Sequence, residues 1–166
     1  RRREGREHLI GTTRCTTMNI DQATAFVRDN PRAVLATMRR DGTPQMTPVL
    51  VGVDEKNRLV ISTRETAIKV ANVRRDPRAW LCLLNDGFYG AWAQLGGDVE
   101  VVSLPEAMEA LVEYYRGISG EHPDWDDYRS AMRAMDQTNI RHLPVVSGDR
   151  LLSMLSIRDL MRVDLE

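Results

Sequence analysis

From Arg32 onward the hydrophobic pattern runs at a period of two: PRAVLATMRR and TPQMTPVLVGVD are strand-like runs hinged on Asp41-Gly42. Asp-Gly supplies the positive-φ dihedrals of a tight hairpin, so the two runs are expected to be antiparallel neighbours. A polar turn at 54–57, DEKN, leads into a third run, NRLVISTR, which is followed by a basic helix, ETAIKVANVRRDPR. Residues 79–84 and 91–102 read as further strands around the loop NDGFYG. Five or more strands with no long helix between them favour a closed or partly closed barrel, which also removes exposed sheet edges.

Helical spacing appears on both flanks. Ahead of the strands, Asp21 precedes QATAFVRDN, in which Ala23, Phe26 and Val27 recur at helical spacing before Asn30-Pro31. Behind them, Ser103-Leu-Pro-Glu reads as a capping box for a helix with Met108, Leu111, Val112 and Tyr115 on one face, ended by Gly117 or Gly120. A second helix is expected from Asp124 through Tyr128, Met132 and Met135. The tail then offers two strands, RHLPVV and RLLSMLSI, around the turn SGD, and a last short helix, RDLMR. The chain is α+β, with most of its strands first.

A length of 166 residues, 42% hydrophobic and 28% charged, suits one globular domain with a substantial core. The 23 basic and 24 acidic side chains nearly cancel, so bulk charge makes no case for a nucleic-acid or membrane-surface partner. Cys15 and Cys82 stand in unlike contexts, which argues against a disulfide or zinc framework and for a cytoplasmic home. RRREGREHLIGTTRCTT has no signal-peptide core, and no apolar stretch is long enough to span a bilayer. With five arginines and little apolar periodicity, residues 1–17 read as a disordered basic leader.

Ser62 and Thr63 end a strand, and Lys69 follows early in the next helix, where backbone N–H groups and the helix dipole add positive potential. A phosphate is expected there. Arg74, Arg75 and Arg78 extend the basic character but are equally a solvated helix face. His122, near Glu121, Asp124, Asp126 and Asp127, has the residue types of a cation site. A helix-opening loop capped by Asp124, with Trp125 as a packing plug, accounts for the same residues without a metal, and no metal is expected. Trp80, Phe88, Tyr89 and Trp92 read as core and interface aromatics, with Trp92 placed to line a groove.

Together, PRAVLATMRRDGTPQMTPVLVGVD, RLVISTRETAIKVANVRRDPRAWLCLL, WAQLGGDVEVV and LVEYYRGISGEHPDWDDYRSAM resemble the pyridoxamine-5′-phosphate-oxidase-like split β-barrels (FMN-binding-like) over about residues 18–132. Within that superfamily the likeness is to the deazaflavin-dependent oxidoreductases that use coenzyme F420, including the biliverdin-reductase-like branch. The resemblance implies a homodimer with a cofactor groove at the subunit interface, the phosphate tail held by Ser62, Thr63 and Lys69. The deazaflavin ring would lie against Met46, Thr47, Pro48 and Val49. Where the family commonly carries a basic or aromatic residue two positions before the lysine, this chain has Ala67, so that contact would fall to Arg64 or Asn72. The implied activity is hydride transfer to a small conjugated substrate such as a tetrapyrrole, quinone or enone, and an FMN-dependent oxidase or reductase of the same fold is the alternative.

Residues 133–166 depart from that pattern. NIRHLPVVSGDRLLSMLSIRDLMR resembles the second half of a CBS (cystathionine β-synthase-type) domain, with Ser156 and Asp159 at the positions whose side chains hold a nucleotide ribose in the final strand-to-helix turn. Two readings follow: an adenine-nucleotide-binding regulatory tail, or a structural one in which RLLSMLSI replaces a missing barrel strand, RHLPVV packs beside it and RDLMR closes the end.

Overall fold

A computed structural model describes residues 18–87, 89–138, 142–147, 150–156 and 159–165. The leader 1–17, Phe88 and Cys15 therefore lie outside the described residues. Among the described residues four helices, α1 (Ile20–Asp29), α2 (Ile68–Arg75), α3 (Met108–Ser119) and α4 (Trp125–Gln137), accompany nine strands. These are β1 (Arg32–Met38), β2 (Pro44–Leu50), β3 (Gly52–Val53), β4 (Leu59–Thr63), β5 (Arg78–Leu84), β6 (Trp92–Val102), β7 (His142–Ser147), β8 (Arg150–Ser156) and β9 (Asp159–Leu165).

The expected antiparallel neighbours form: β1 pairs β2 from Arg32↔Leu50 to Met38↔Pro44. Their turn is a three-residue loop in which Gly42 alone takes positive φ (+81°), while Asp41 accepts from the Thr43 N–H and hydroxyl at 3.0 and 2.6 Å. The β3–β4 turn repeats the design with Asn57 at φ 58°. There the buried Asp54 carboxylate gathers the N–H groups of Lys56 and Arg58 and the Arg58 guanidinium.

The main sheet has the order β2-β1-β5-β6-β9-β4-β3. Its two outermost strands are joined in the chain by a single residue, the buried Val51, so one continuous run bends there and brings the ends of the sheet together. Strand two of the sequence reading is thus two strands. Inside lie Leu35, Leu59, Ile61, Leu81, Leu83 and Met161, joined by Val27 of α1 and by Val70 and Val73 of α2. Alternation turns Val60 to the opposite face of β4, under Met108 and Leu111 of α3 and Met132 and Met135 of α4. Being buried on both faces explains the unbroken apolar run LVI in β4.

Three terminal expectations are corrected. Asn19, not Asp21, caps α1, in a reciprocal box with Gln22. Ser103 does not cap α3: residues 103–107 form turns containing a cis Leu104–Pro105 bond, and the helix starts after Ala107 with no side-chain cap. From Asp159 on, the segment expected to be the last helix is strand β9, which pairs with β4 from Leu59↔Val163 to Thr63↔Asp159 and with β6 from Gly97↔Leu165 to Val102↔Leu160. It is this segment, rather than RLLSMLSI, that fills the barrel. The β7–β8 hairpin forms a separate two-stranded sheet, and the barrel sheet extends beyond residue 132. Among the described residues no helix is long and apolar enough to cross a membrane.

Candidate functional site

The end of β4 and the start of α2 form the basic corner anticipated above. Alternation sends Ser62 and Thr63 to opposite faces: Ser62 shares the half-covered outer face of Val60, whereas Thr63 shares the buried face of Ile61. Thr63 is 3% exposed and its Oγ1 has no hydrogen-bond partner among the described residues. A buried hydroxyl left unpaired is costly, and a polar atom that completes it is worth about 0.5–1.5 kcal/mol net. The turn Arg64–Ala67 follows, closed by the Ala67 N–H on the Arg64 carbonyl at 2.9 Å.

Helix α2 opens at Ala67 without a side-chain cap and with no acidic residue in its first turn. The carboxylate nearest that end, Glu65 of the preceding turn, pairs with Arg74, and the half-buried Lys69 lies in the first helical turn. The position two before Lys69 is therefore also the helix N-cap. An alanine there leaves backbone N–H groups for an anion instead of covering them.

Asn72, the other proposed contact, is committed elsewhere. Its Nδ2 donates to Thr37 Oγ1 at 3.0 Å and Gln45 Oε1 at 2.9 Å, and its Oδ1 accepts from Arg75, which also reaches the Met38 carbonyl. Both amide hydrogens being spent, Asn72 acts as a buried clip holding α2 to the β1–β2 hairpin. Arg74 pairs with Glu65, and Arg78 pairs with Asp76 through two short hydrogen bonds. That pairing holds the Asp76 carboxyl down at about 2.

Strand β2 is the end of the sheet. The Arg39 N–H bonds to the Thr43 carbonyl and the Val51 N–H to that of Pro31, so odd-numbered residues are the ones that bond toward β1. Pro44 and Pro48, which lack an N–H, fall in the other phase, as an edge requires. The backbone groups of Met46 and Leu50 therefore point away from β1, and the Leu50 carbonyl meets the Tyr114 hydroxyl at 3.1 Å. Met46 is 69% exposed and Pro48 is exposed beside it, whereas Thr47 and Val49 are half-buried and Val49 packs on the core. Of the four ring-contact residues, Met46 and Pro48 thus present an apolar surface, and Thr47 and Val49 back it.

His122 is part of a four-ring cluster with Tyr115, Trp125 and Tyr128, each pair of centroids 5.6–5.9 Å apart. Asp124 caps α4 through the N–H groups of Asp126 and Asp127, the Trp125 N–H meets Glu121, and Arg116 lies over the Trp125 ring. Among the described residues no group of three or more metal-ligating side chains converges. Ser156 ends β8 and Asp159 begins β9, so the strand-to-helix turn expected for a ribose is instead a passage between two strands.

Comparison with known proteins bears on this arrangement. A fold likeness at 22% identity and a TM-score of 0.63, covering 90% of this chain and 81% of the other, links it to a conserved hypothetical protein of Mycobacterium tuberculosis. A pyridoxamine 5′-phosphate oxidase-related, FMN-binding protein from Nostoc punctiforme is 14% identical, with a TM-score of 0.57 and coverages of 91% and 83%. An F420 reductase is 18% identical, with a TM-score of 0.51 and coverages of 84% and 90%. A CBS domain model matches residues 122–166, so β9 belongs to that match while completing the barrel sheet. The pyridoxamine 5′-phosphate oxidase model matches residues 20–138, and the chain belongs to that family.

Proposed function

We propose that this chain is an oxidoreductase that binds the deazaflavin coenzyme F420 and passes a hydride to a small conjugated substrate. The observation that carries the reading is the buried Thr63 hydroxyl at the end of β4, without a partner among the described residues, shortly before the N-terminus of α2, which has no side-chain cap and no acidic residue in its first turn. That donor set suits a phosphate: a hydroxyl, backbone N–H groups and the Lys69 ammonium, with Arg64 exposed in the connecting turn. Met46 and Pro48 would support the ring, and the outward backbone of β2 would fix its edge. When bound, the coenzyme supplies the hydride; the protein binds the phosphate, orients the ring and keeps one of its faces dry.

The preference for a deazaflavin over FMN draws on the GEHPDWDDYR stretch and on the fold likeness to an F420 reductase. FMN in the same groove is the second reading, favoured by the likeness to an FMN-binding protein. A homodimer and a cytoplasmic location belong to the proposal. Exposed Leu50, Leu84 and Trp92 at one corner of the outer sheet face offer apolar surface for a second copy, and Cys82 is a free thiol.

Titrating the purified chain with F420 and, separately, with FMN tests the reading. Tighter binding of F420 is expected, and Lys69→Ala should weaken it by about 1–3 kcal/mol, roughly 5- to 150-fold. Failure to bind either cofactor would sink the proposal.

A further inference from the structure

The phosphate corner and the ring platform stand on different elements, the first at the β4–α2 junction and the second on β2, and Asn72 ties the two together. Its side chain is buried, 3% exposed. Nδ2 spans the hairpin, donating to Thr37 Oγ1 of β1 at 3.0 Å and to Gln45 Oε1 of β2 at 2.9 Å, and these two acceptors are register partners. Gln45 directly precedes Met46, and alternation turns their side chains to opposite faces, Gln45 to α2 and Met46 to solvent. Along the helix, Lys69 lies three positions before Asn72, on the same side.

Apolar packing alone does not define this spacing. Val70 and Val73 bury α2 against the core, but burial is non-directional, whereas hydrogen bonds have direction and a narrow range of length. Two such bonds from one amide, reaching two adjacent strands, set where the helix stands relative to β2. Arg75, bonded to the Met38 carbonyl, adds a tie at the far end of the helix.

We propose that Asn72 is a positioning residue for the cofactor: it holds the phosphate corner and the ring platform at one separation, so that a ligand reaching both gains affinity over its two halves. Both amide hydrogens being engaged, it acts through Thr37 and Gln45 rather than on the ligand. The inference rests on the cofactor reading above.

The test compares F420 and FMN, each beside its phosphate-free ribityl chromophore, with glycerol phosphate as the other half. Binding is measured to the full chain and to Thr37→Val, Thr37→Ser and Gln45→Met. Thr37→Val and Gln45→Met should weaken the phosphate-bearing cofactor about tenfold, while chromophore and glycerol phosphate each bind within about twofold of the parent. Thr37→Ser, which keeps the acceptor, should bind like the parent. Lys69→Ala, which removes a contact, should weaken glycerol phosphate as well. A merely destabilised fold would not produce that split between the joined ligand and its halves. Gln45→Met, at a half-buried position, carries the test if Thr37→Val does not fold. Undiminished cofactor affinity in the variants, equal losses for a separate half, or a Thr37→Ser protein as weak as Thr37→Val would overturn the assignment of Asn72 alone. A parent chain that binds neither cofactor would sink the oxidoreductase reading and this inference with it.

Discussion

Tyr114 reaches from α3 to lay its ring across Gly52, where an added Cβ would lie 3.1 Å from Tyr114 Cδ2, and its hydroxyl donates to the Leu50 carbonyl at 3.1 Å. Both contacts flank Val51, the single residue at which β2 turns into β3 and the sheet closes. Gly52→Ala should therefore destabilise the chain by forcing Tyr114 or Val60 aside, by about 1–3 kcal/mol. Tyr114→Phe, losing only the hydrogen bond, should cost about 0.5–1.5 kcal/mol. Urea unfolding of the two variants measures both, and a Gly52→Ala protein as stable as the parent would show that the bend is not pinned there.

Thr63→Val separates a ligand-binding hydroxyl from a structural one. Because Thr63 Oγ1 has no partner among the described residues, the isosteric valine should leave stability unchanged or raise it by up to about 1 kcal/mol. Cofactor affinity should nevertheless drop about three- to tenfold, while riboflavin, which has no phosphate, is unaffected. Equal losses for FMN and riboflavin would place the hydroxyl away from the phosphate.

The C-terminal strand should behave as barrel core. Met161 is fully buried among residues of the main cluster, so Met161→Ala is expected to cost about 2–5 kcal/mol. Removing residues 157–166 would strip β4 and β6 of their shared neighbour and should abolish cooperative unfolding. A truncated chain that melts like the full one would mean the segment is an accessory to the barrel.

Acid titration should expose the Asp76–Arg78 pair. The Arg78 hydrogen bonds hold the Asp76 carboxyl at about 2, below its ordinary 3.8. A depressed folded-state value contributes stability that is fully present above about pH 4 and lost as pH falls through about 2. Asp76→Asn should flatten the stability profile in that window alone; an identical profile in the variant would show the pair contributes nothing in solution.

Much of this fold was legible because period-two alternation and turn chemistry are local. The β1–β2 pairing, the β5 and β6 strands, the cap at Asp124 and a glycine stop for α3, which the structure places at Gly120 rather than Gly117, all follow from residues within a few positions of one another. Among the candidate site residues, Lys69 in the first turn of α2 was readable for the same reason. Asn72 was not, because its partners Thr37 and Gln45 lie 35 and 27 positions away. The packing of the Trp80 indole on Gly96 was not readable either, since only strand register brings the two together.

The amino-acid sequence by itself determined the α+β class, the split-barrel family and the basic corner after β4, through periodicity, turn residues and motif order. Tertiary structure alone decided how the barrel is completed. RDLMRVDL carries enough helix-compatible residues to read as a helix locally, yet with β4 and β6 each offering an edge, a strand there satisfies backbone hydrogen bonds on both sides and buries Met161. It also decided that Thr63, rather than Ser62, is the buried hydroxyl, because alternation along a strand fixes opposite faces but only packing says which face is the inside.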